Sequence, residues 1–302
     1  MLPRILWLFV DGIGLGPQAG SNPFAIEPTP ALRALLGGPL TVERVGAGAG
    51  WSLAALDAAL GVAGLPQSAT GQTALFTGEN APALLGRHAT AFPGPRLRAV
   101  LAEHSVLRRA VAAGRQVTFA NPFTPRYWEM VEARERRLSA TTCAVLASGA
   151  RLRDLGDLRR DEAVTWDVCR DHFGGLAGED LSPVPALDAG RHLAGLLADH
   201  DLVLWETFIT DLAGHHRFGF TAAEALRRVD GLLGGALAAL PADATLIVTS
   251  DHGNLEDASH TRHTRNPVPL LAVGPLAAEL AGAQSLLDVT PAVLRALGVA
   301  PS

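Results

Sequence analysis

The sequence contains no lysine, so all 25 basic residues are arginines. This absence excludes Schiff-base catalysis and phosphate-binding loops built around a lysine, while arginine retains a forked cation suited to phosphate or carboxylate. The chain also lacks an excess of positive charge, since its formal net charge is -5 over 302 residues. We therefore expect no nucleic-acid partner, because such binding leaves a basic footprint on the surface.

Cysteine and long apolar runs are scarce as well. The two cysteines, Cys143 and Cys169, are too few for a disulfide framework, which favours a reducing cytoplasm. No apolar stretch reaches membrane-spanning length without a charged residue, and the N-terminal run 5–10 is too short for a signal peptide. These features predict a soluble cytoplasmic protein without a membrane partner, and they leave the oligomeric state open.

Short apolar runs alternate with helical stretches rich in Ala and Leu. This alternation predicts an α/β fold with a mostly parallel sheet covered by helices on both faces. The predicted strands are 4–10, 116–120, 202–209, 244–249 and 268–273. The predicted helices include 30–37, 97–113, 186–199, 221–240 and 291–297.

Residues 123–185 differ in composition from the rest of the chain and lack a clear alternation of strand and helix. We interpret this segment as an inserted cap or lid over a core formed by residues 1–122 and 186–302. A helical elaboration with a solvated charged face is the alternative. Nine arginines are concentrated here: Arg126, Arg134, Arg136, Arg137, Arg151, Arg153, Arg159, Arg160 and Arg170.

Carboxylates and imidazoles follow three of the predicted strands. Taken singly, each has an ordinary explanation as a turn residue, a helix surface pair or a helix cap. Together they indicate a metal site, because the carboxyl ends of parallel strands form the ligand-binding edge of such a sheet. Oxygen and nitrogen donors suit Zn²⁺ or Mn²⁺, and two ions need about six to eight protein ligands. The candidate ligands are Asp11, Asp211, His215, Asp251, His252 and His263.

A candidate nucleophile lies in the Gly-, Ser- and Thr-rich loop 65–73, which precedes a helical stretch. Ser68 is the first choice and Thr70 the second. A hydroxyl bound to a metal loses its proton more readily, and the helix N-terminus offers donors for an anion. Taken alone, such a loop is more often a simple helix cap.

These segments resemble the alkaline phosphatase superfamily, and most of all its cofactor-independent phosphoglycerate mutase and phosphopentomutase branch. The most specific similarity is the pair Asp251-His252-Gly253-Asn254 and His263-Thr264-Arg265-Asn266-Pro267-Val268-Pro269. It extends over about residues 1–80 and 200–300. The resemblance implies a three-layer α/β/α core with a small inserted cap.

The resemblance also assigns ligands to two metal ions. Asp211, His215 and His263 would hold one ion. Asp11, Asp251 and His252 would hold the other, with Ser68 as its additional ligand and as the nucleophile. The loop departs from the mutase pattern at two positions, since Gln72 stands where the mutases have His and Ala69 where they have Glu or Met.

The function implied is phosphoryl transfer to and from a small phosphorylated metabolite through a phosphoserine. In a phosphatase, water would release the phosphoryl group as phosphate. In a phosphomutase, the group would return to a second hydroxyl of the retained product. Access of water to the site decides between these two outcomes. A sulfatase is disfavoured, because sulfatases carry the motif Cys/Ser-x-Pro-x-Arg and the Ser68 loop has neither the Pro nor the Arg at those positions. A metal-binding regulator or scaffold with an inactive core is the alternative from another class.

Overall fold

A computed structural model describes residues 3–300 as an α/β structure built on a seven-stranded sheet. The strand order is β2-β3-β7-β6-β1-β5-β4. Strand β1 lies in the middle and pairs in parallel with β5 and β6, and β4 pairs in parallel with β5. The remaining pairings are antiparallel, so β2 and β7 run against the other five strands. The strands are β1 (Arg4–Val10), β2 (Gly46–Gly48), β3 (Trp51–Leu56), β4 (Val117–Phe119), β5 (Leu202–Thr207), β6 (Ala244–Thr249) and β7 (Val268–Val273).

In the part of the chain that the structure describes, fifteen α-helices surround the sheet. Within residues 3–300, none is both long enough and apolar enough to cross a lipid bilayer. The helices are α1 (Pro23–Ile26), α2 (Pro30–Leu36), α3 (Ser68–Thr77), α4 (Ala81–Leu85), α5 (Pro95–His104), α6 (Val106–Ala112), α7 (Pro125–Glu132), α8 (Ala140–Ser148), α9 (Leu155–Arg159), α10 (Asp171–Ala177), α11 (Ala186–Gly195), α12 (Ile209–Gly214), α13 (Ala222–Ala239), α14 (Ala277–Leu280) and α15 (Val289–Ala296).

The two faces of β1 pack into two separate hydrophobic cores. Ile5, Trp7 and Phe9 belong to one core, whereas Leu6 and Leu8 belong to the other. This division follows from the strand period, because successive side chains point to opposite faces of a sheet. A central strand buried on both faces reads as a continuous apolar run, as the N-terminal sequence does.

All five predicted strands are present, with shorter bounds for β4 and β5. Strands β2 and β3 were not predicted, because glycine and alanine favour strands weakly; β3 is stabilised by pairing with β7, and β2 by pairing with β3. The predicted helix 97–113 is wrong as a single element. It is divided at Ser105, which ends α5 and whose hydroxyl accepts a hydrogen bond from the Arg108 N–H at the start of α6.

The arginine-rich segment 123–185 contains helices α7 to α10 and contributes no strand to the described sheet. Its helix α8 packs against α3, α5 and α6, and Ala140, Ala144 and Val145 join the core on that face. A separate small cluster forms around Leu158 and Phe173. The role of this segment as a cap stays a prediction.

Candidate metal centre

The centre lies where the parallel strands β1, β5 and β6 end. Asp11 directly follows β1, Asp251 follows β6 by one residue, and Asp211 lies in α12, which starts two residues after β5. The register places Phe9 between Glu206 and Thr249, so these strand ends are level with one another. Parallel pairing therefore brings residues that are distant in sequence to one edge of the sheet.

One half of the centre surrounds the imidazole of His252. His252 Nε2 lies 3.0 Å from the Ser68 hydroxyl, 3.3 Å from Asp11 Oδ1 and 3.5 Å from Asp251 Oδ2. Asp251 and His252 are fully buried and Asp11 is 8% exposed. The donor atoms of Asp11, Asp251 and His252 lie within 4.8 Å of one another, a spacing that one metal ion can bridge.

The other half surrounds Asp211. Its Oδ1 atom lies 3.4 Å from His215 Nε2 and 3.6 Å from His263 Nε2. His263 also stacks on His252, with 3.7 Å between the ring centroids. The structure thus brings all six predicted ligand side chains together, and the donor atoms of Asp211, His252 and His263 also lie within 4.8 Å of one another, so His252 is close to both halves.

Hydrogen bonds orient the imidazoles of the second half. His215 Nδ1 donates to the Thr261 carbonyl at 2.7 Å, and His263 Nδ1 donates to the Pro66 carbonyl at 2.9 Å. A carbonyl only accepts, so the hydrogen of each neutral ring is on Nδ1 and the lone pair is on Nε2. These two Nε2 atoms lie only 3.1 Å apart. Two facing lone pairs beside a carboxylate fit a shared cation, which is how metal-binding histidines are oriented.

The electrostatics of the centre also favour an external cation. Burial raises the pKa of Asp251 to about 7, and burial together with the charges of Asp251 and Asp211 raises the pKa of Asp11. Burial lowers the pKa values of His252 and His263. Among residues 3–300, no arginine forms an ion pair with any of the three aspartates. A divalent ion would reverse the shifts of the two aspartates, keep the two histidines neutral and supply the missing positive charge.

The structure distinguishes the two candidate hydroxyls. Ser68 is the first residue of α3 and faces His252. Thr70 is fully buried; its hydroxyl donates to the Gln67 carbonyl and accepts from the Ala89 N–H, at 3.2 Å each. Thr70 therefore serves the loop rather than the carboxylates.

Several side chains around the ligands were not predicted as site residues. Asn254 Nδ2 donates to Asp211 Oδ1 at 2.9 Å, and Gln72 Nε2 donates to Asp11 and Asp251. Glu256 accepts hydrogen bonds from the Gly14 and Asn254 N–H groups and from the Asn266 amide, which ties the loop after β1 to the loop after β6. Asn254 and Asn266 lie within the two segments that carry the family resemblance, 251–254 and 263–269, whereas Glu256 lies outside both and gave no signal in the sequence.

Within residues 3–300, His216 and His260 form no hydrogen bond or ion pair with the candidate ligands. His216 has a left-handed backbone with φ of 55°. His260 Nε2 lies 3.8 Å from Asp257 Oδ2. Neither adds a donor to the two groups.

The C-terminal part of the chain, residues 186–301, matches the family described as Metalloenzyme superfamily. This stretch contains Asp211, His215, Asp251, His252 and His263, so five of the six candidate ligands lie within the matched residues. The family and the donor set agree on divalent metal binding.

Two curated relatives are 2,3-bisphosphoglycerate-independent phosphoglycerate mutases. The protein from Cereibacter sphaeroides (strain ATCC 17025) is 35% identical over 134 residues, which are 41% of this chain and 26% of the relative. The protein from Dinoroseobacter shibae is 38% identical over 130 residues, which are 39% of this chain and 26% of the relative. The matched segment thus spans about a quarter of the length of these relatives.

Solved structures share the fold across the whole chain. Alkaline phosphatase from Thermus thermophilus aligns with a TM-score of 0.55 and 14% identity, covering 100% of this chain and 92% of the other. Alkaline phosphatase from the Antarctic bacterium TAB5 aligns with a TM-score of 0.53 and 15% identity, covering 100% of both chains. The predicted α/β fold is confirmed, and the predicted resemblance is confirmed as a partial similarity to the Metalloenzyme superfamily model and to phosphoglycerate mutases, together with the fold of alkaline phosphatases.

Proposed function

We propose that the protein transfers phosphoryl groups of a small phosphorylated metabolite through Ser68, with two divalent metal ions, Mn²⁺ or Zn²⁺, as cofactors. The observation that supports this most is the position of the Ser68 hydroxyl, 3.0 Å from His252 Nε2. It lies at the edge of a carboxylate cluster with which no described arginine forms an ion pair. Asp211, His215 and His263 would hold one ion, and Asp11, Asp251, His252 and Ser68 the other. Such ions lower the pKa of a bound hydroxyl and offset the charge of phosphate oxygens.

The start of α3 is suited to an anion next to Ser68. This ten-residue helix has no side-chain hydrogen bond that caps its N-terminus at Gln67. Its first N–H groups therefore remain available, and the helix dipole adds partial positive charge there. A phosphoryl group attached to the Ser68 oxygen would lie at this terminus. Formation of the new O–P bond breaks the bond to the leaving oxygen, which takes up a proton as it departs.

The arginines of segment 123–185 fall into two groups. Arg151, Arg153, Arg159, Arg160 and Arg170 hydrogen-bond to carboxylates, a hydroxyl or a carbonyl and are used within the fold. Among the described residues, the other four form no side-chain hydrogen bond or ion pair. These four are Arg126, Arg134, Arg136 and Arg137.

Two of these four arginines stack on aromatic rings. Arg136 stacks 5.0 Å from the Tyr127 ring centroid, and Arg137 stacks 4.7 Å from that of Phe92. Burial raises the pKa of Glu206 at the end of β5 to about 7, and Arg136 is near enough to oppose that rise. We propose that Arg136 and Arg137 contact the part of the substrate that does not react, through its phosphate or carboxylate oxygens.

Hydrolysis and mutase chemistry share these first steps. Water that reaches the phosphoserine would give a phosphatase, whereas a product retained under segment 123–185 would take the group back as in a phosphomutase. A regulatory or scaffold role is the second candidate. A metal-binding role alone would use the same carboxylates, but it is disfavoured because it leaves the Ser68 hydroxyl, 3.0 Å from His252 Nε2, without a role.

The experiment that tests the proposal is a screen of phosphorylated metabolites with Mn²⁺ or Zn²⁺, scored for released phosphate and for isomerised product. In the same assay Ser68→Ala should form no phosphoenzyme while it keeps bound metal, and Thr70→Ala should keep turnover. Full activity of Ser68→Ala would show that another group is the nucleophile. Stoichiometric metal without turnover, phosphoserine or phosphorylated ligand would favour the scaffold role.

A further inference from the structure

Gln72 lies on the same face of α3 as Ser68, one helical turn further along. Its side chain is almost fully buried, with 5% of the residue exposed. The helix thus presents a hydroxyl and an amide to the same cluster of ligands. Ser68 is placed by its contact with His252, and no such role has been given to Gln72.

The Gln72 amide bridges the two carboxylates of that cluster. Its Nε2 atom donates to Asp11 Oδ2 at 3.2 Å and to Asp251 Oδ2 at 3.1 Å. One amide nitrogen has two hydrogens, so it satisfies one oxygen on each carboxylate. The other oxygen of each, Oδ1, is buried and has no hydrogen-bond partner among the described residues. Asp11 Oδ1 is the oxygen that lies 3.3 Å from His252 Nε2.

The approach of α3 to the strand ends depends on Gly71. A Cβ atom at this position would lie 2.6 Å from the Asp251 carbonyl oxygen, closer than van der Waals contact permits. Only glycine lets the helix come this near, and the next residue, Gln72, then reaches both carboxylates. The bridge is therefore built into the backbone packing and is not a chance contact of a mobile side chain.

We propose that Gln72 is a positioning residue for the metal ion, which holds Asp11 and Asp251 in the orientation that binds the cation. A neutral amide suits this role better than an arginine would. An arginine in the same place would neutralise the carboxylates and compete with the metal, whereas the amide fixes both and leaves their two negative charges for the ion. The assignment requires metal binding at the centre but not phosphoryl transfer.

The test compares metal binding by wild type, Gln72→Met and the control Thr77→Val. Methionine keeps the length and packing of the side chain but removes both hydrogen-bond donors. Thr77 is a buried residue of the same helix whose hydroxyl donates to the Thr73 carbonyl and contacts no carboxylate. Metal-free proteins would be titrated with Zn²⁺ and with Co²⁺ against a chromogenic chelator, and the visible spectrum of bound Co²⁺ would be recorded.

We expect Gln72→Met to bind the metal about 10 to 100 times more weakly and to change the Co²⁺ spectrum, as loss of a group that orients a ligand does. Thr77→Val should match wild type in both. If Gln72→Met misfolds, Gln72→Asn serves instead, because its shorter amide cannot reach both carboxylates and should weaken binding as well. Unchanged affinity and spectrum in the folded variant would overturn the role of Gln72. No binding by wild type would overturn the metal centre and this assignment with it.

Discussion

Asp157 and Asp251 are both fully buried, yet their surroundings are opposite. Asp157, in the arginine-rich segment, accepts two hydrogen bonds from Arg151 and one from Arg160. Asp251 has no arginine partner and lies next to a second carboxylate, Asp11. Burial raises the pKa of Asp157, but the bonds and charges of its partners outweigh this effect and lower the pKa to about 2. The pKa of Asp251 is raised to about 7.

The difference shows which carboxylates serve the fold and which await a ligand. Because Asp157 is paired with two arginines, this fold has arginines available to neutralise a buried carboxylate. Carboxylates left together without any of the 25 arginines therefore mark a place for a cation from outside the chain.

The largest effect is expected for Asp251→Asn. The substitution removes a ligand charge, so we expect the metal of the Ser68 half to be lost and turnover to fall by about a hundredfold or more. The metal-free variant should be as stable as metal-free wild type or more so, because a buried repulsion is removed. Metal analysis, turnover and thermal unfolding measure the three quantities. A clear loss of stability without metal would mean that Asp251 has a structural role like that of Asp157.

Added metal should stabilise the protein through the metal centre and not through the arginine-rich segment. A ligand that binds only the folded state at 100 times its Kd adds about 2.7 kcal/mol to the free energy of unfolding. We expect a gain of this size for each bound ion of Zn²⁺ or Mn²⁺ in wild type and in Asp157→Asn, and a smaller total gain in Asp251→Asn, which lacks the ion of the Ser68 half. Thermal unfolding with and without a chelator measures it. Equal gains in all three proteins would place the metal elsewhere.

The strand ends of the centre could be predicted because each signal is local. An apolar run followed by Asp11, or by Asp251-His252, is visible within a few residues, and the parallel-sheet rule brings such ends together. The order of the strands could not be predicted, because pairing between β1 and β6 joins residues some 240 positions apart, such as Arg4 and Ala244. The assignment of each ligand to an ion and of Ser68 to catalysis stays a prediction.

The contacts that orient the ligands were beyond prediction for a physical reason. Gln72 was visible as a departure from the mutase pattern, but its partners lie 61 and 179 residues away. Which arginines of segment 123–185 are free depends on where Asp157 and Glu179 lie in space. Composition reveals that arginines are numerous, and only packing shows which of them are already paired.

A smaller effect is expected at the free arginines. Arg136→Ala should raise KM for the substrate about tenfold, the size of one hydrogen bond from a charged group, and change kcat little. Arg159→Ala is the matched control, because Arg159 lies in the same segment but pairs with Glu179 at 2.6 Å. Steady-state kinetics on the substrate found in the screen measure both. An equal change in the two variants would show that Arg136 contributes only charge at a distance.

The smallest effect is expected for Asp157→Asn and should depend on pH. The pKa of Asp157 is lowered from 3.8 to about 2 in the folded protein. Its charge therefore stabilises the fold above about pH 4, and this stabilisation is lost as the pH falls toward 2. Since Arg151 and Arg160 are more than half exposed, we expect a loss of only about 1 kcal/mol in the variant at neutral pH. Urea unfolding between pH 7 and pH 2 measures the difference, which should shrink toward zero at the acid end. A difference that stays constant over this range would mean that Asp157 acts by its shape and hydrogen bonds and not by its charge, and the contrast with Asp251 would then lose its electrostatic basis.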